Sequence, residues 1–298
     1  MKSLAPNIRR FTRNFTIAFA TAFIFAGTSF GFTTNDGEIC YDPMFGPRVT
    51  YKNIFESSQT DNFDTNDAGE SIGQYGTPTL NGDTMVFNIP QFSASAITNR
   101  RDADLTDGRL AMEISAMPGH YIEKIELFEF GSIGLGSTGI GDNVYVDVDA
   151  PMFLTVHEIL LDDGTPEGLP HTLVESQTIA ALITLDPVQQ TAGRWSFADD
   201  PDIEIWEGEI TMDVKTLLTQ KLEDENVSLP GNLPIRGFTR GQYTMNNRLE
   251  AVAGDGTAFI DKKGVRINPF PVAVPEPSTF MLLLPLLGLG VFARRHFA

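Results

Sequence analysis

Apolar and polar residues alternate along much of this chain, and the alternation is clearest after residue 109. Leu110, Met112, Ile114 and Ala116 are separated by Ala111, Glu113 and Ser115. A period of two turns one set of side chains to a core and the other to water, so the spacing predicts a strand. Pro118-Gly119 interrupts it, and Tyr121 to Phe130 (YIEKIELFEF) resumes the pattern. Two strands either side of a Pro-Gly turn predict a hairpin. Val144, Val146 and Val148 alternate with Tyr145, Asp147 and Asp149, a strand with one wet face.

Further strands are predicted over 48–55, 84–89, 152–161, 172–185, 203–213, 242–253, 257–261 and 265–268. The last two meet at a turn, Lys262-Lys263-Gly264. The stretches 32–46, 57–76 and 99–108 are rich in Gly, Pro, Asp, Asn or Ser and read as a mobile start and two loops. One helix competes: Val214, Leu217, Leu218 and Leu222 fall at helical spacing, with Asp213 available as N-cap. Many short strands and one short helix predict an all-β body, a β-sandwich or jelly roll.

Both ends depart from this pattern. Lys2, Arg9, Arg10 and Arg13 precede an apolar run from Phe15 to Ala26, and Ser29 and Gly31 form a small-residue cleavage pair. Residues 1–31 therefore read as a signal peptide for general (Sec) secretion. At the other end Val274-Pro275-Glu276-Pro277 precedes a 14-residue apolar run, Phe280 to Ala293, closed by Arg294-Arg295. As a helix that run covers roughly 21 Å of a ~30 Å hydrocarbon core, a short transmembrane helix with its arginines on the cytoplasmic side. The two prolines hold the preceding segment extended and open to a protease. The order of Pro-Glu-Pro, apolar run and arginine pair resembles the PEP-CTERM sorting signal of bacterial envelope proteins, over about the last 25 residues. That resemblance implies exosortase as the processing partner, an extracytoplasmic body at 32–273 and a sorting signal at 274–298. It further implies export across the inner membrane of a Gram-negative bacterium, transient anchoring, and arrival at the cell surface or extracellular matrix beside exopolysaccharide.

The net charge is −18, and removing both ends leaves 15 basic against 38 acidic residues for the body. Such a balance excludes nucleic acid and anionic lipid surfaces as partners of the body. Cys40 is the single cysteine, so no intrachain disulfide forms, and Glu38-Ile39 before it rule out a lipoprotein acceptor.

Candidate chemistry is sparse. Asp61, Asp64, Asn66, Asp67 and Glu70 are the candidate calcium ligands, in an irregular loop rather than an EF-hand, since Ala68 and Tyr75 occupy ligand positions of that register. No other cofactor is expected. Gly134 to Gly139 matches G-x-G-x-x-G but leads to a strand instead of opening a helix, so it reads as a loop between strands. His157-Glu158 starts like a zinc-protease helix, yet the second histidine position holds Leu161; His120, His157 and His171 lack the spacing of a zinc site. Asp147 with Asp149, and Glu207 with Glu209, are carboxylate pairs on single strand faces. Trp195, Trp206 and Tyr145 are candidate stacking platforms for a sugar, or core residues. No G-x-S-x-G, Walker or catalytic-cysteine pattern is present. The expectation is a structural or adhesive envelope protein and not an enzyme. The alternatives are a carbohydrate-active enzyme on a jelly roll and a calcium-dependent carbohydrate-binding module.

Overall fold

In the computed structural model of the protein, the described residues are 33–35, 38–58, 64–65, 71–98, 103–137, 143–182, 184–186 and 193–274. The first strands are β1 (Thr33–Asn35), β2 (Glu38–Tyr41), β3 (Met44–Phe45) and β4 (Val49–Ser57). They are followed by β5 (Asp64–Thr65), β6 (Ser71–Ile72), β7 (Thr79–Asn81), β8 (Thr84–Asn88) and β9 (Ser93–Ile97). The long strands β10 (Ala103–Ala116) and β11 (His120–Ser137) precede β12 (Val144–Asp149), β13 (Met152–Leu161) and β14 (Leu169–Ala181). Short β15 (Thr184–Asp186) and β16 (Arg194–Ser196) lead to β17 (Ile205–Asp213), helix α1 (Val214–Asp224), β18 (Ile235–Ala253) and β19 (Gly256–Ala273). Over the described residues the fold is all-β with one short α-helix, arranged as a two-layer sandwich.

Every pairing is antiparallel. In one layer β18 is central: β10 lines one edge along its length, while β13 and β12 share the other edge end to end. β14 extends this layer beyond β13, β16 beyond β12, and β4, β2 and β1 beyond β10. In the other layer β11 lies between β17 and β19, with β15 outside β17 and β8 and β9 outside β19. One bridge, Ile122 to Phe238, joins the two networks. The layers face each other across a single core; Trp195 of β16 and Trp206 of β17 meet there with ring centroids 6.1 Å apart. Helix α1 closes one side, burying Val214, Leu218 and Leu222. Its N-cap is Asp213, whose carboxylate accepts from Thr216 N at 2.9 Å, satisfying one of the orphan donors of the first turn.

Several local expectations change. β10 and β11 do not form a hairpin: three residues after β10 the chain has crossed to the opposite layer, and each strand pairs elsewhere. The same kind of crossing joins β18 to β19 at Gly254-Asp255. The stretches at 257–261 and 265–268 are one strand, with a register shift opposite Phe130/Gly131 in place of a turn at Lys262-Lys263-Gly264. Gly134 to Ser137 continue β11 against Gly256 to Phe259, so this glycine-rich stretch is strand rather than loop. Ala103 to Gly108 also belong to a strand, and the segment read as a mobile start contains β2, with Ile39 buried and Cys40 opposite Phe55 of β4. Among the described residues no helix is long and apolar enough to cross a membrane. The leader and the tail beyond Val274 lie outside the described residues.

Candidate functional site, a charged cleft beside β12

β12 turns Val144, Val146 and Val148 into the core and Tyr145, Asp147 and Asp149 outward, as its alternation requires. Its two neighbours decide what surrounds those outward groups. On one side Glu250 and Arg248 of β18 lie opposite Asp147 and Asp149; on the other Arg194 of β16 lies opposite Asp147. Cross-strand neighbours on one face have Cβ atoms about 5 Å apart, so Arg194, Asp147 and Glu250 form a row across three strands. The row forms part of the lining of an open cleft of about 390 Å³, which Asp149, Arg248, Leu182 and Leu185 also line. Leu182 is exposed, an apolar contact surface beside the charges.

The charges hold one another in place. Arg194 Nη2 donates to Asp147 Oδ2 at 3.3 Å while its guanidinium stacks 3.9 Å from the centroid of Tyr145. Arg248 Nη2 donates to Glu250 Oε2 at 2.9 Å. Gly193 fits where no side chain could: its φ is +79°, and a Cβ there would lie 2.5 Å from Val148 O. Burial raises the Asp147 carboxyl above its ordinary range; Arg194 pulls it back and Glu250 pushes it up. Three carboxylates against two guanidiniums leave the cleft with a slight negative excess. Carboxylates accept hydrogen bonds and guanidiniums donate them, a set suited to a ligand rich in hydroxyl groups.

Other sequence candidates are dispersed. Trp195 and Trp206 are core residues, and Tyr145 is covered by Arg194, so no open aromatic platform forms in this cleft. Glu207 and Glu209 sit on the exposed face of β17 and do not line the cleft. His157 Nδ1 is 2.6 Å from Ser176 Oγ on the outside of β13 and β14, and among the described residues no three His, Cys, Asp or Glu side chains could hold a metal together. Asp64 lies in β5, paired with β6; Asp61, Asn66, Asp67 and Glu70 lie outside the described residues. Val274 N donates to Gly119 O at 2.7 Å, while Pro275, Glu276, Pro277, Arg294 and Arg295 lie outside the described residues. Arg194, Arg248, Glu250 and Leu182 were invisible as a group, because only strand register brings them together. Asp147 and Asp149 were visible as an outward pair.

No family model matches the chain, and no curated protein matches it in sequence. Among solved structures it is similar to TmCBM61 in complex with β-1,4-galactotriose: 8% identity, 63% of this chain and 83% of that one, TM-score 0.20. A second is the enzymatically active domain of tailspike protein 4 of bacteriophage CBA120, with 11% identity over 75% of this chain and 20% of that one, TM-score 0.16. A third is the adhesin domain of Epf from Streptococcus pyogenes, at 10% identity over 65% of this chain and 56% of that one, TM-score 0.17.

Proposed function

We propose that this protein is an exported, non-enzymatic component of the cell envelope or matrix whose sandwich binds a polysaccharide in the cleft beside β12. The observation that carries the reading is the Arg194–Asp147–Glu250 row beside exposed Leu182 in an open cleft. Fixed donors and acceptors next to an apolar patch match the alternating hydroxyls and C–H faces of a sugar. The acidic body and the negative excess of the cleft favour a neutral polysaccharide over a uronic-acid polymer, which like-charge repulsion would hold off. A hydrolytic site needs two carboxyl groups flanking the scissile bond. Here the three lining carboxylates, Asp147 and Asp149 of β12 and Glu250 of β18, lie on two adjacent strands of one wall, and the other lining residues are Val148, Leu182, Leu185, Gly193, Arg194 and Arg248. The signal peptide and PEP-CTERM-like tail supply the route: Sec export, retention by the apolar run, and cutting by exosortase near Pro275 to Pro277.

The test is calorimetric titration of the exported protein with neutral and uronic-acid exopolysaccharide fractions, wild type against an Asp147→Ala/Arg194→Ala double variant. Loss of these bonds is expected to weaken neutral-polymer binding at least about tenfold. Equal binding by both proteins would remove the cleft from the function. Release of new reducing ends by wild type, abolished in Asp147→Asn, would make it an enzyme instead. Replacing Pro275 and Pro277 by alanine is expected to leave the tail attached and the protein in the membrane fraction.

A further inference from the structure

Three polar side chains occupy inward positions on three different strands of the core. Glu129 follows Ile125 and Leu127 in the buried phase of β11. Lys262 follows Ala258 and Ile260 in that of β19, and Asn247 lies between Met245 and Leu249 in that of β18. All three are almost fully buried, with Lys262 at 1%, Glu129 at 0% and Asn247 at 3% exposure. They share one carboxylate. Lys262 Nζ lies 2.6 Å from Glu129 Oε2, and Asn247 Nδ2 donates to Glu129 Oε1 at 3.1 Å. Tyr75 Oη also accepts from Asn247 Nδ2, at 2.7 Å, while Asn247 Oδ1 is buried without a hydrogen-bond partner. The Phe92 and Trp206 rings stand over the ammonium at 5.3 and 5.8 Å, sealing the group from water.

The geometry points to a self-catalysed amide bond between Lys262 Nζ and Asn247 Cγ, with Glu129 as the acid–base catalyst, tying one layer of the sandwich to the other. An amine, a carboxamide and a carboxyl group enclosed in a site closed to bulk solvent are the complete reactant set. Burial lowers Lys262 to about 8, against the pull of Glu129, which favours the neutral amine that attack requires. Glu129 takes a proton from the ammonium and, as the neutral acid, donates a hydrogen bond to Asn247 Oδ1 once the amide has turned to face it. The amine attacks Cγ to give a tetrahedral intermediate. Nζ then gives up a second proton, which Glu129 relays to Nδ2, and the Cγ–Nδ2 bond breaks. One C–N bond forms and one breaks; Nδ2 leaves as ammonia and carries off the proton first taken from Lys262 as ammonium. No oxidant, metal or cofactor enters, and the exclusion of water protects the intermediate from hydrolysis to aspartate.

Mass spectrometry of the exported wild-type protein decides the matter. Digestion with trypsin after denaturation is expected to give a branched peptide, residues 241–248 joined to 249–263, about 17 Da below the sum of its parts because ammonia is lost. The bond also blocks cleavage after Lys262, so separate peptides 241–248 and 249–262 in wild type would overturn the inference. Loss of the same mass within either peptide alone, with no branched peptide, would overturn it too. Glu129→Gln, checked for native circular dichroism, is expected to yield the separate peptides; cross-linking in that variant would overturn the catalytic assignment. Should that variant not fold, Glu129→Asp keeps the carboxyl group and is expected to cross-link at a rate reduced at least about tenfold.

Discussion

Glu56 offers a sharp test of how burial sets stability in this sandwich. It points into the core from β4, 1% exposed, and accepts from Tyr75 N at 3.0 Å. The backbone of Gly73 passes so close that a Cβ there would sit 1.2 Å from Glu56 Oε1. Burial pushes the carboxyl from 4.5 up to about 7, although the Tyr75 N–H and the Tyr41 hydroxyl pull it down. The folded protein therefore keeps a proton that the unfolded chain releases. Below about pH 4.5 both states are protonated and this group contributes no pH dependence. As pH rises from 4.5 to 7, folding stability falls by about 1.4 kcal/mol per unit, and above 7 it levels off, a total of about 3 kcal/mol. Glu56→Gln keeps the shape and an acceptor for Tyr75 N but cannot ionise. Urea unfolding of both proteins across this range isolates the effect, because every other titrating group, including Asp147, is common to the two and cancels. The variant is expected to gain about 3 kcal/mol on wild type between about pH 4.5 and about pH 8. A difference that stays constant with pH would refute the reasoning.

Two further outcomes follow from single side chains. Asp83 accepts from Arg48 N and Arg48 Nε, each at 2.7 Å, and from Val49 N at 3.1 Å; Asp83→Ala strands two backbone donors at the start of β4 and is expected to cost about 3 kcal/mol by urea midpoint. Asp213→Ala removes the cap of α1 and is expected to cost about 1 kcal/mol, a few degrees in the thermal transition.

The fold class was legible because period-two alternation survives in nearly every long strand, and Asp213 announced the helix start. Layer assignment was not. A Pro-Gly turn says that the chain reverses direction, but three residues can close a hairpin or carry the chain across the core, and Met117 to Gly119 do the second. The glycines of β11 misled for a different reason: they are strand residues where neighbours approach closely. At Gly131 a Cβ would lie 1.8 Å from Asp261 O, the same oxygen that accepts from Trp206 Nε1 at 2.9 Å. For the cleft, the outward phase of Asp147 and Asp149 was visible in β12, whereas Arg194 and Glu250 join them only through the register of three strands. The buried trio left an uneven trace, because Lys262 was read as a turn residue until β19 proved continuous through it. Glu129, Asn247 and Lys262 each fall in the apolar phase of a strand, where a polar residue stands out as soon as the phase is known.

The length of β19 has a mechanical consequence. Arg248 and Glu250 of the cleft lie within six residues of the Gly254-Asp255 crossing, at the end of the sandwich where β19 begins. Val274 follows its other end, beyond 18 residues of strand, roughly 60 Å of extended chain. In the proposed arrangement the captured polymer and the tail are thus held at opposite ends of one strut, and tension between them runs along β19. Its ladder with β11, from Ala273 opposite His120 to Gly256 opposite Ser137, is then loaded in shear. Its hydrogen bonds must yield together instead of peeling open one by one. A chain pulled this way resists detachment by the length of its overlap, and β11 and β19 are among the longest strands in the molecule.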